Sequence, residues 1–269
     1  MNSSVALITG VSSGIGRATA ELMSRNGFRT IGTARRVADT SAPAGVELVT
    51  LDVTDEASVQ NCVQEVVARA GRIDVLVNNA GALLCGAVEE TDLQQAEAIF
   101  ETNFFGALRM VEAVLPIMRR QASGRIINVT SIAGYVATPF QSFYCATKHA
   151  LEGFTESLDY EIRPFGVRAV AVAPNYIHTE LSHNCTREHG KLAAYDADRE
   201  AAISEFARHV DAGDRPETVA RVILAAATTR SPKQHYVAGR GAAMFRFFSR
   251  IMPAPIVDIA VRRHFSLRA

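Results

Sequence analysis

The sequence shows no excess of charge of either sign, because its 28 lysine and arginine residues balance 28 aspartate and glutamate residues. Nucleic-acid-binding surfaces need a basic excess, so this balance argues against a nucleic-acid partner. No apolar run approaches the roughly 20 residues that span a bilayer. The start of the chain also lacks the basic residues and the long apolar stretch of a signal peptide. We therefore expect a cytoplasmic protein.

The sequence is also poor in cysteine, with residues at positions 62, 85, 145 and 185 and no CxxC pair. Without export signals, cysteines this far apart are expected to be reduced thiols. Pro- or Ser-rich linkers, charge blocks and internal repeats are absent as well. The 269 residues, 48% of them hydrophobic, therefore suit one α/β domain, which we place at 1–240, with an extension at 241–269.

A glycine-rich turn follows the first apolar run, Val5 to Thr9, and precedes residues at helical spacing that end at Asn26. Such a strand, turn and helix place backbone N–H groups and the positive end of a helix against a phosphate. Gly10 permits a tight turn, while Gly14 and Gly16 allow the backbone to approach a ligand. The spacing GxxxGxG matches neither the GxGxxG fingerprint nor the phosphate loop, and such turns also arise for steric reasons. The turn alone favours nucleotide binding only weakly.

The end of the second predicted strand favours one nicotinamide cofactor over the other. Phe28 to Thr33 forms this strand, and Ala34 and Arg35 follow it. An NAD site would have a carboxylate here for the ribose 2′-hydroxyl, whereas an NADP site has an arginine for the 2′-phosphate. Arg35 can bind that phosphate with charge-assisted hydrogen bonds. We therefore expect NADP; the alternative is that Arg35 and Arg36 are merely solvated loop residues.

Further strands are predicted at 46–51, 73–77, 126–129 and 167–173, alternating with helices. This alternation indicates a parallel sheet with helices on both faces, in which ligands bind outside the carboxyl ends of the strands. The residues near those ends are Gly10, Asp52, Asn79, Ser131 and Thr179. Their convergence is stronger evidence for a binding site than any single motif. Asp52 has two interpretations of equal weight: an acceptor for an adenine amino group, or a cap for the helix that starts near Asp55.

Tyr144 and Lys148 lie four residues apart in a helix predicted from about Phe143 to Arg163. Residues at this spacing share a face, with their Cβ atoms about 5–6 Å apart, so both can act on one ligand. An isolated tyrosine titrates at about 10, and a nearby ammonium favours the phenolate. The hydroxyl of Ser131 can hold a substrate oxygen against the phenol. A YxxxK pair alone is often a chance match, but beside a nucleotide site it indicates proton transfer coupled to hydride transfer.

These motifs together resemble the short-chain dehydrogenase/reductase family over residues 3–240. They are Thr9 to Gly16, Asn78 to Gly81, Asn103, Ser131, Tyr144 to Lys148, and Pro174 with Thr179. The resemblance implies a single Rossmann-type domain, doubly wound, with a seven-stranded parallel sheet and helices on both faces. It also implies an NADP-dependent oxidoreductase that interconverts a carbonyl and an alcohol, and subunits that assemble as a homodimer or homotetramer.

The same resemblance implies a role for each site residue. Tyr144 would be the general acid in reduction and the base in oxidation, and Ser131 would bind the substrate oxygen. Lys148 would hold the nicotinamide ribose and lower the pKa of the tyrosine, while Asn103 would anchor a water in a proton relay. Thr179 would bind the nicotinamide carboxamide. The cofactor-binding set comprises Gly10, Ser12, Ser13, Gly14, Ile15, Gly16, Arg35, Asp52, Val53, Asn79, Ala80, Gly81, Tyr144, Lys148, Pro174, Ile177 and Thr179.

One position inside the site departs from the family pattern. Pro174 is followed by Asn175, where the family usually has glycine. Asparagine tolerates unusual backbone angles better than most residues, so the turn can survive the change. Because of this departure, the family pattern predicts the contacts of this turn with the nicotinamide less firmly than it predicts the other cofactor contacts.

Substrate choice is expected to rest on three segments: Leu83 to Cys85, Thr138 to Gln141, and residues 180–200. The first two are mostly apolar and contain no arginine or lysine that could clamp a carboxylate or phosphate. They favour a hydrophobic substrate such as a steroid, retinoid or lipid carbonyl, although core packing would explain several of these residues equally well. A 3-oxoacyl reductase of lipid synthesis and a non-catalytic dinucleotide sensor are the alternatives. The intact Ser, Tyr and Lys set argues against a sensor, which has no need for a tuned acid.

A group of potential metal ligands follows the last predicted site residue. His178, His183, Cys185 and His189 lie close in sequence, but their spacing matches no zinc pattern. We therefore expect no bound metal.

The extension at 241–269 is basic and rich in apolar residues. From Arg240 onward, six arginines accompany a single acidic residue, Asp258. Pro253 and Pro255 prevent one continuous helix. A lid over the substrate pocket or a subunit contact is the favoured interpretation, and attachment to an anionic membrane surface is the alternative.

Overall fold

The central feature of the computed structural model is a parallel β-sheet; the structure describes residues 3–180, 186–187 and 192–268. The strands of this sheet are β1 (Val5–Ile8), β2 (Arg29–Ala34), β3 (Val46–Thr50), β4 (Val75–Asn78), β6 (Gly124–Val129), β7 (Val167–Pro174) and β9 (His235–Ala238), and two short strands outside it are β5 (Leu84–Cys85) and β8 (Thr186–Arg187). The seven strands lie in the order β3-β2-β1-β4-β6-β7-β9, and every pair is parallel. The expected seven-stranded parallel sheet is confirmed.

Helices follow most strands and cover both faces of the sheet. They are α1 (Gly14–Arg25), α2 (Glu56–Ala70), α3 (Leu93–Phe100), α4 (Gly106–Gln121), α5 (Ser142–Ile162), α6 (Asp196–Asp211), α7 (Pro216–Thr228), α8 (Ala242–Ile251) and α9 (Ala254–His264). A π-helical turn, Glu101–Phe105, joins α3 to α4. The helix predicted from about Phe143 to Arg163 therefore corresponds to α5.

Neighbouring residues of each central strand enter different hydrophobic cores. Leu7 and Leu76 pack with α2, α4 and α5 on one face, whereas Ile8 and Val77 pack with α1 and α7 on the other. Successive side chains of a strand point to opposite faces, so a strand covered on both sides reads as a continuous apolar run. This is why the apolar runs in the sequence located the strands.

The order of the strands fixes where a ligand can bind. From β1 the chain builds outward through β2 to β3, and it then returns to build the other half outward from β4. Loops that follow β1 and β4 therefore leave the sheet in opposite directions and open a crevice at the carboxyl ends of these strands. The glycine turn after β1 lies at this crevice.

The two interpretations of Asp52 are separated by the contacts of the third loop. Asp55, not Asp52, caps α2, because its side chain accepts a hydrogen bond from the backbone N–H of Ala57 at 2.9 Å. Asp52 Oδ1 instead accepts from the backbone N–H of Thr54 at 2.9 Å and from its hydroxyl at 2.8 Å. These bonds hold the pKa of Asp52 below its usual value, with a smaller contribution from Arg35. The capping interpretation of Asp52 is therefore wrong.

The expectation of reduced cysteines fails at one position. Cys62 and Cys145 are buried free thiols, but Cys85 is disulfide-bonded. Sequence spacing alone gave no signal for this bond, since no cysteine lies near Cys85 in the chain. Cys185 lies outside the described residues.

The extension folds into α8 and α9, with a break before Pro253, as the prolines predict. It packs on α6 and on the turn after β7. The hydroxyl of Tyr176 lies 3.1 Å from His264 Nε2, and the rings of His209 and His264 stack with their centroids 4.2 Å apart. Arg268 forms an ion pair with Asp198 of α6 at 3.0 Å.

We expect this histidine stack to weaken as the pH falls. Burial lowers the pKa of both His209 and His264, Arg208 adds to this at both positions and His209 adds to it at His264, while Glu205 opposes it. A histidine with a depressed pKa contributes stability above its unfolded value of about 6.5, and that stability is lost as pH falls through the folded value. The melting temperature should therefore drop from about pH 7 to 5 more steeply in the wild type than in a His209→Gln, His264→Gln double variant. Equal slopes would contradict the prediction.

Candidate active site

One cavity of about 1180 Å³ opens at the carboxyl ends of the strands, where the fold predicts a ligand site. Almost every residue that the sequence marked for the site lines it. These are Gly10, Ser12, Ser13, Gly14, Ile15, Arg35, Asp52, Val53, Asn79, Ala80, Gly81, Ser131, Tyr144, Lys148, Pro174, Ile177 and Thr179. Gly16 and Asn103 are the two predicted residues that lie behind the cavity wall rather than in it.

The glycine turn places the start of α1 at the wall of the cavity. Gly16 has to be glycine, because a Cβ atom there would lie 2.1 Å from the carbonyl oxygen of Gly10, and Gly10 itself has a φ of +72°. The side-chain amide of Asn79 ties the turn to the next strand, donating to the carbonyls of Thr9 at 2.9 Å and Gly10 at 3.0 Å.

The first turn of α1 has no side-chain cap. Ser13 occupies the N-cap position, but its hydroxyl forms no capping hydrogen bond. Ser13, Gly14 and Ile15 line the cavity, and the N–H groups of a first helical turn have no partners within the helix, so they remain available to a ligand there. Together with the helix dipole, they fit a phosphate group. The residues present therefore fit the pyrophosphate of a dinucleotide.

The two arginines after β2 have different surroundings. Arg35 lines the cavity on the same side as Asp52. Arg36 faces away and pairs with Asp39 at 3.5 Å. Of the two, Arg35 is therefore the arginine that a group bound in the cavity could meet, and its contact with a 2′-phosphate stays a prediction.

Tyr144 is buried, with 8% of its surface exposed, in the wall of the same cavity. Burial raises the pKa of its phenol to about 12, while its hydrogen bond with Ser131 acts in the opposite direction. Within the protein itself the phenol is therefore not acidified, and an acidified phenol beside a bound nucleotide stays a prediction. A phenol that stays protonated at neutral pH is suited to donate a proton rather than to accept one.

Lys148 lies one helical turn further along α5. Its Nζ donates a hydrogen bond to the carbonyl of Val129 at 3.0 Å and lies 5.7 Å from the centre of the Tyr144 ring. Burial lowers the pKa of this ammonium to about 8, and the carboxylate of Glu152 opposes that effect. The lysine thus titrates close to the neutral range, where a modest change in its surroundings alters its charge.

Asn103 braces the loop after β4 from behind. Its Oδ1 accepts a hydrogen bond from the backbone N–H of Ala82 at 2.7 Å, and its Nδ2 donates to the carbonyl of Ala82 at 2.9 Å. The same nitrogen lies 3.2 Å from the hydroxyl of Thr147. Both polar atoms of the Asn103 side chain therefore already have partners within the protein. Its role as the anchor of a relay water stays a prediction.

The turn after β7 tolerates Asn175 without strain. Asn175 is not among the described residues that have a positive φ, so the turn does not need the backbone freedom of glycine. Its Nδ2 donates to the carbonyl of Arg240 at 2.8 Å. Its Oδ1 is buried without a partner among the described residues, and the residue lines the cavity.

The substrate side of the cavity combines predicted residues with two from α6. Leu83, Thr138 and Gln141 line it as expected, whereas the other residues of their segments do not. Phe206 and Val210 line it too, although they lie beyond the predicted range of 180–200. Apolar residues at helical spacing in 203–210 were the signal that could have identified them. None of the described residues from 211 to 268 lines the cavity, so the extension reaches it only through α6.

The part of the chain that the structure describes holds neither a metal-binding cluster nor a membrane-spanning helix. His178 is exposed, whereas His183, Cys185 and His189 lie outside the described residues. Within residues 3–180, 186–187 and 192–268, no group of three or more His, Cys, Asp or Glu side chains is placed to hold a metal ion. None of the helices in this part of the chain is long and apolar enough to cross a bilayer.

The sheet order and the position of the cavity define a doubly wound, dinucleotide-binding fold. The family model for short chain dehydrogenases matches residues 4–190. The chain therefore belongs to the short-chain dehydrogenase/reductase family, whose members are oxidoreductases that use a nicotinamide dinucleotide and act on alcohol or carbonyl groups.

The chain is similar to two named reductases and to one solved structure. A 3-ketodihydrosphingosine reductase of Bacteroides thetaiotaomicron is 39% identical over 68% of this chain and 68% of its own length. A putative ketoacyl reductase of monensin polyketide synthesis in Streptomyces virginiae is 40% identical over 82% of this chain and 88% of its own. The structure of ElxO with NADP bound superposes with a TM-score of 0.75, at 27% identity, over 90% of this chain and 99% of that chain.

Proposed function

We propose that the protein is an NADPH-dependent reductase of a carbonyl group on a hydrophobic substrate, acting reversibly. The observation that carries this proposal is that Ser131, Tyr144 and Lys148 line the same cavity as the uncapped first turn of α1. A dinucleotide whose phosphates lie against that turn has its other end available to these three side chains.

Arg35 supports NADP over NAD. It lines the cavity with no carboxylate at the end of β2, where an NAD site would have one. The 2′-phosphate of NADP would meet the guanidinium, which presents several N–H donors to phosphate oxygens. ElxO, a structural relative, binds NADP.

The residues would divide the reaction between them. When bound, the reduced nicotinamide supplies a hydride to the carbonyl carbon. Tyr144 donates its phenolic proton to the carbonyl oxygen, so that the substrate leaves as an alcohol and no charge remains on the oxygen. The hydroxyl of Ser131 holds that oxygen against the phenol. The ammonium of Lys148 binds the nicotinamide ribose and favours the phenolate that remains after proton transfer.

The lining of the substrate side supports a hydrophobic carbonyl compound. Leu83, Ile132, Ala133, Phe206 and Val210 provide apolar surface there. Apart from Arg35 and Lys148, no arginine or lysine among the described residues lines the cavity, so a free carboxylate or phosphate would lack a clamp. Two relatives named for the reduction of a sphingoid ketone and of a ketoacyl group agree with this substrate class.

A panel assay tests the proposal. NADPH oxidation would be followed at one enzyme concentration with long-chain 3-oxoacyl, sphingoid, steroid, retinoid and short polar carbonyls, and repeated with NADH. We expect turnover with one or more apolar carbonyls and a preference for NADPH. A 3-oxoacyl substrate that exceeded the others would select the reductase of lipid synthesis, which the 40% identical ketoacyl reductase favours. Turnover restricted to short polar carbonyls would contradict the substrate class.

A further inference from the structure

Glu152 is a buried acidic residue that none of the proposed catalytic roles uses. It lies on α5, one turn beyond Lys148, with 6% of its surface exposed. Its Oε1 accepts a hydrogen bond from the hydroxyl of Thr130. Its Oε2 accepts from the hydroxyl of Tyr135 at 2.7 Å and lies 3.0 Å from His235 Nδ1. Burying a carboxylate costs desolvation free energy, which hydrogen-bond partners must offset, and Glu152 has three such partners.

The contacts of Glu152 and Lys148 converge on one short stretch of backbone. Lys148 donates to the carbonyl of Val129, and Glu152 binds the side chain of the next residue, Thr130. The residue after that is Ser131, whose hydroxyl bonds with Tyr144. The two charged side chains of α5 therefore fix the end of β6 at consecutive residues, just before the hydroxyl that faces the substrate oxygen.

Gly134, which follows Ser131 by three residues, packs closely against Lys148 and Glu152 of α5. A Cβ atom on Gly134 would lie 2.9 Å from the carbonyl oxygen of Lys148 and 3.1 Å from Cγ of Glu152. Gly134 therefore packs directly on α5 beside both residues.

We propose that Glu152 is a positioning residue for the active site: its carboxylate fixes the end of β6 and supplies the buried negative charge that keeps Lys148 an ammonium. The name "active site" rests on the proposed function. The effect on the charge of Lys148 can be tested without any substrate or cofactor.

The balance of charge around Lys148 supports this assignment. Burial favours the neutral amine and lowers its pKa to about 8, and Glu152 is the carboxylate that opposes burial. Tyr144 and Cys145, on the preceding turn of α5, both have a pKa raised by burial and so stay uncharged. Gly81, in the loop after β4, and Asn103, in the π-helical turn between α3 and α4, lie near the lysine and carry no charge.

Two further charged or titratable groups, His235 and Arg246, lie near Glu152 or its partner Tyr135. His235 of β9 binds the carboxylate and also lies 3.8 Å from Glu156. The guanidinium of Arg246, on α8, lies 5.2 Å from the centre of the Tyr135 ring. Neither His235 nor Arg246 contributes to the lowered pKa of Lys148, so changing them should move that pKa less than removing the carboxylate.

The chain offers a direct measurement, because it contains only three lysines, at positions 148, 191 and 233. Protein labelled with ¹³C at lysine Cε would give three NMR signals, and a Lys191→Arg, Lys233→Arg background would leave that of Lys148 alone. The wild-type signal should titrate with a midpoint near 8. In Glu152→Gln the midpoint should fall by about one pH unit, the size of effect that a nearby opposite charge produces. An unchanged midpoint in the folded variant would overturn the proposal.

The matched controls separate charge from structure. Tyr135→Phe and His235→Gln each remove one partner of the carboxylate but keep its charge, and should leave the midpoint within a few tenths of a unit. A midpoint that moved as far in these variants as in Glu152→Gln would show a packing effect and contradict the proposal. If Glu152→Gln does not fold, the double variant Tyr135→Phe, Glu152→Gln removes the hydroxyl that would face the new amide and serves in its place.

The same change should appear in the kinetics. With Lys148 needed as an ammonium, kcat/KM for carbonyl reduction falls above its pKa, and Glu152→Gln should move this fall to lower pH by the same interval. If the wild type reduced no carbonyl at all, the proposed function would fail while the NMR titration still decided the role of Glu152. A shifted NMR midpoint with an unshifted rate profile would show that the lysine charge does not serve the reaction.

Discussion

Replacing Tyr144 by phenylalanine is expected to reduce kcat for carbonyl reduction by about 10²- to 10⁴-fold, the contribution of a positioned general acid. The phenol is the proton donor that the cavity presents beside Ser131, and its raised pKa, about 12, keeps it protonated across the neutral range. The aromatic ring remains in the variant, so the wall of the cavity is preserved. Stopped assays with NADPH and the best substrate of the panel would measure the loss.

Tyr160 provides the control for this substitution. It lies on the same helix, α5, but is 59% exposed and far from the cavity wall. Tyr160→Phe should retain the wild-type rate, and Tyr144→Phe should retain NADPH binding measured by fluorescence. Equal turnover in Tyr144→Phe and wild type would remove the phenol from the mechanism. Bound NADPH without turnover in either protein would favour the dinucleotide sensor.

Replacing Arg35 by alanine is expected to weaken NADPH binding by roughly 10- to 100-fold while leaving NADH binding nearly unchanged. A hydrogen bond to a charged group contributes about 1.5–3 kcal/mol, and only NADPH carries the 2′-phosphate that would receive it. The outcome is a change in cofactor preference rather than a general loss of function. Dissociation constants for both nucleotides, from fluorescence quenching at fixed ionic strength, would report it.

Arg36 is the matched control for Arg35, because it is the adjacent arginine and is exposed but pairs with Asp39 instead of lining the cavity. Arg36→Ala should leave the ratio of the two dissociation constants as it is in the wild type. If Arg36→Ala and Arg35→Ala changed the ratio equally, a diffuse basic field rather than a specific contact would explain the preference. A wild type that binds NADH more tightly than NADPH would contradict the role of Arg35 altogether.

The sequence was sufficient for the fold because local and long-range signals agreed. Apolar runs such as Val5 to Ile8 are buried on both faces, so their hydrophobicity located the central strands directly. Gly16 marked the turn for a steric reason, since no side chain fits against the carbonyl of Gly10. The parallel order then brought the ends of several strands, far apart in the chain, to one cavity.

Properties that depend on tertiary surroundings could not be predicted in the same way. The tyrosine–lysine spacing suggested an acidified phenol, but burial outweighs the neighbouring groups and raises the pKa of Tyr144. Phe206 lines the cavity from α6, and no sequence motif predicts where that helix packs. Asn175 causes no backbone strain, because its φ is not positive, and its effect on the contacts with nicotinamide stays a prediction. Glu152 carries no motif either, and only its buried contacts reveal it.

A structure of the protein with NADP and a carbonyl substrate analogue would examine the central claim most directly. We predict that the pyrophosphate lies against the first turn of α1, and that the reactive carbon of the nicotinamide lies beside the oxygen of the analogue, itself within hydrogen-bond distance of Tyr144 and Ser131. A dinucleotide bound with its nicotinamide outside the cavity, or with Tyr144 and Lys148 out of contact with it, would contradict the account.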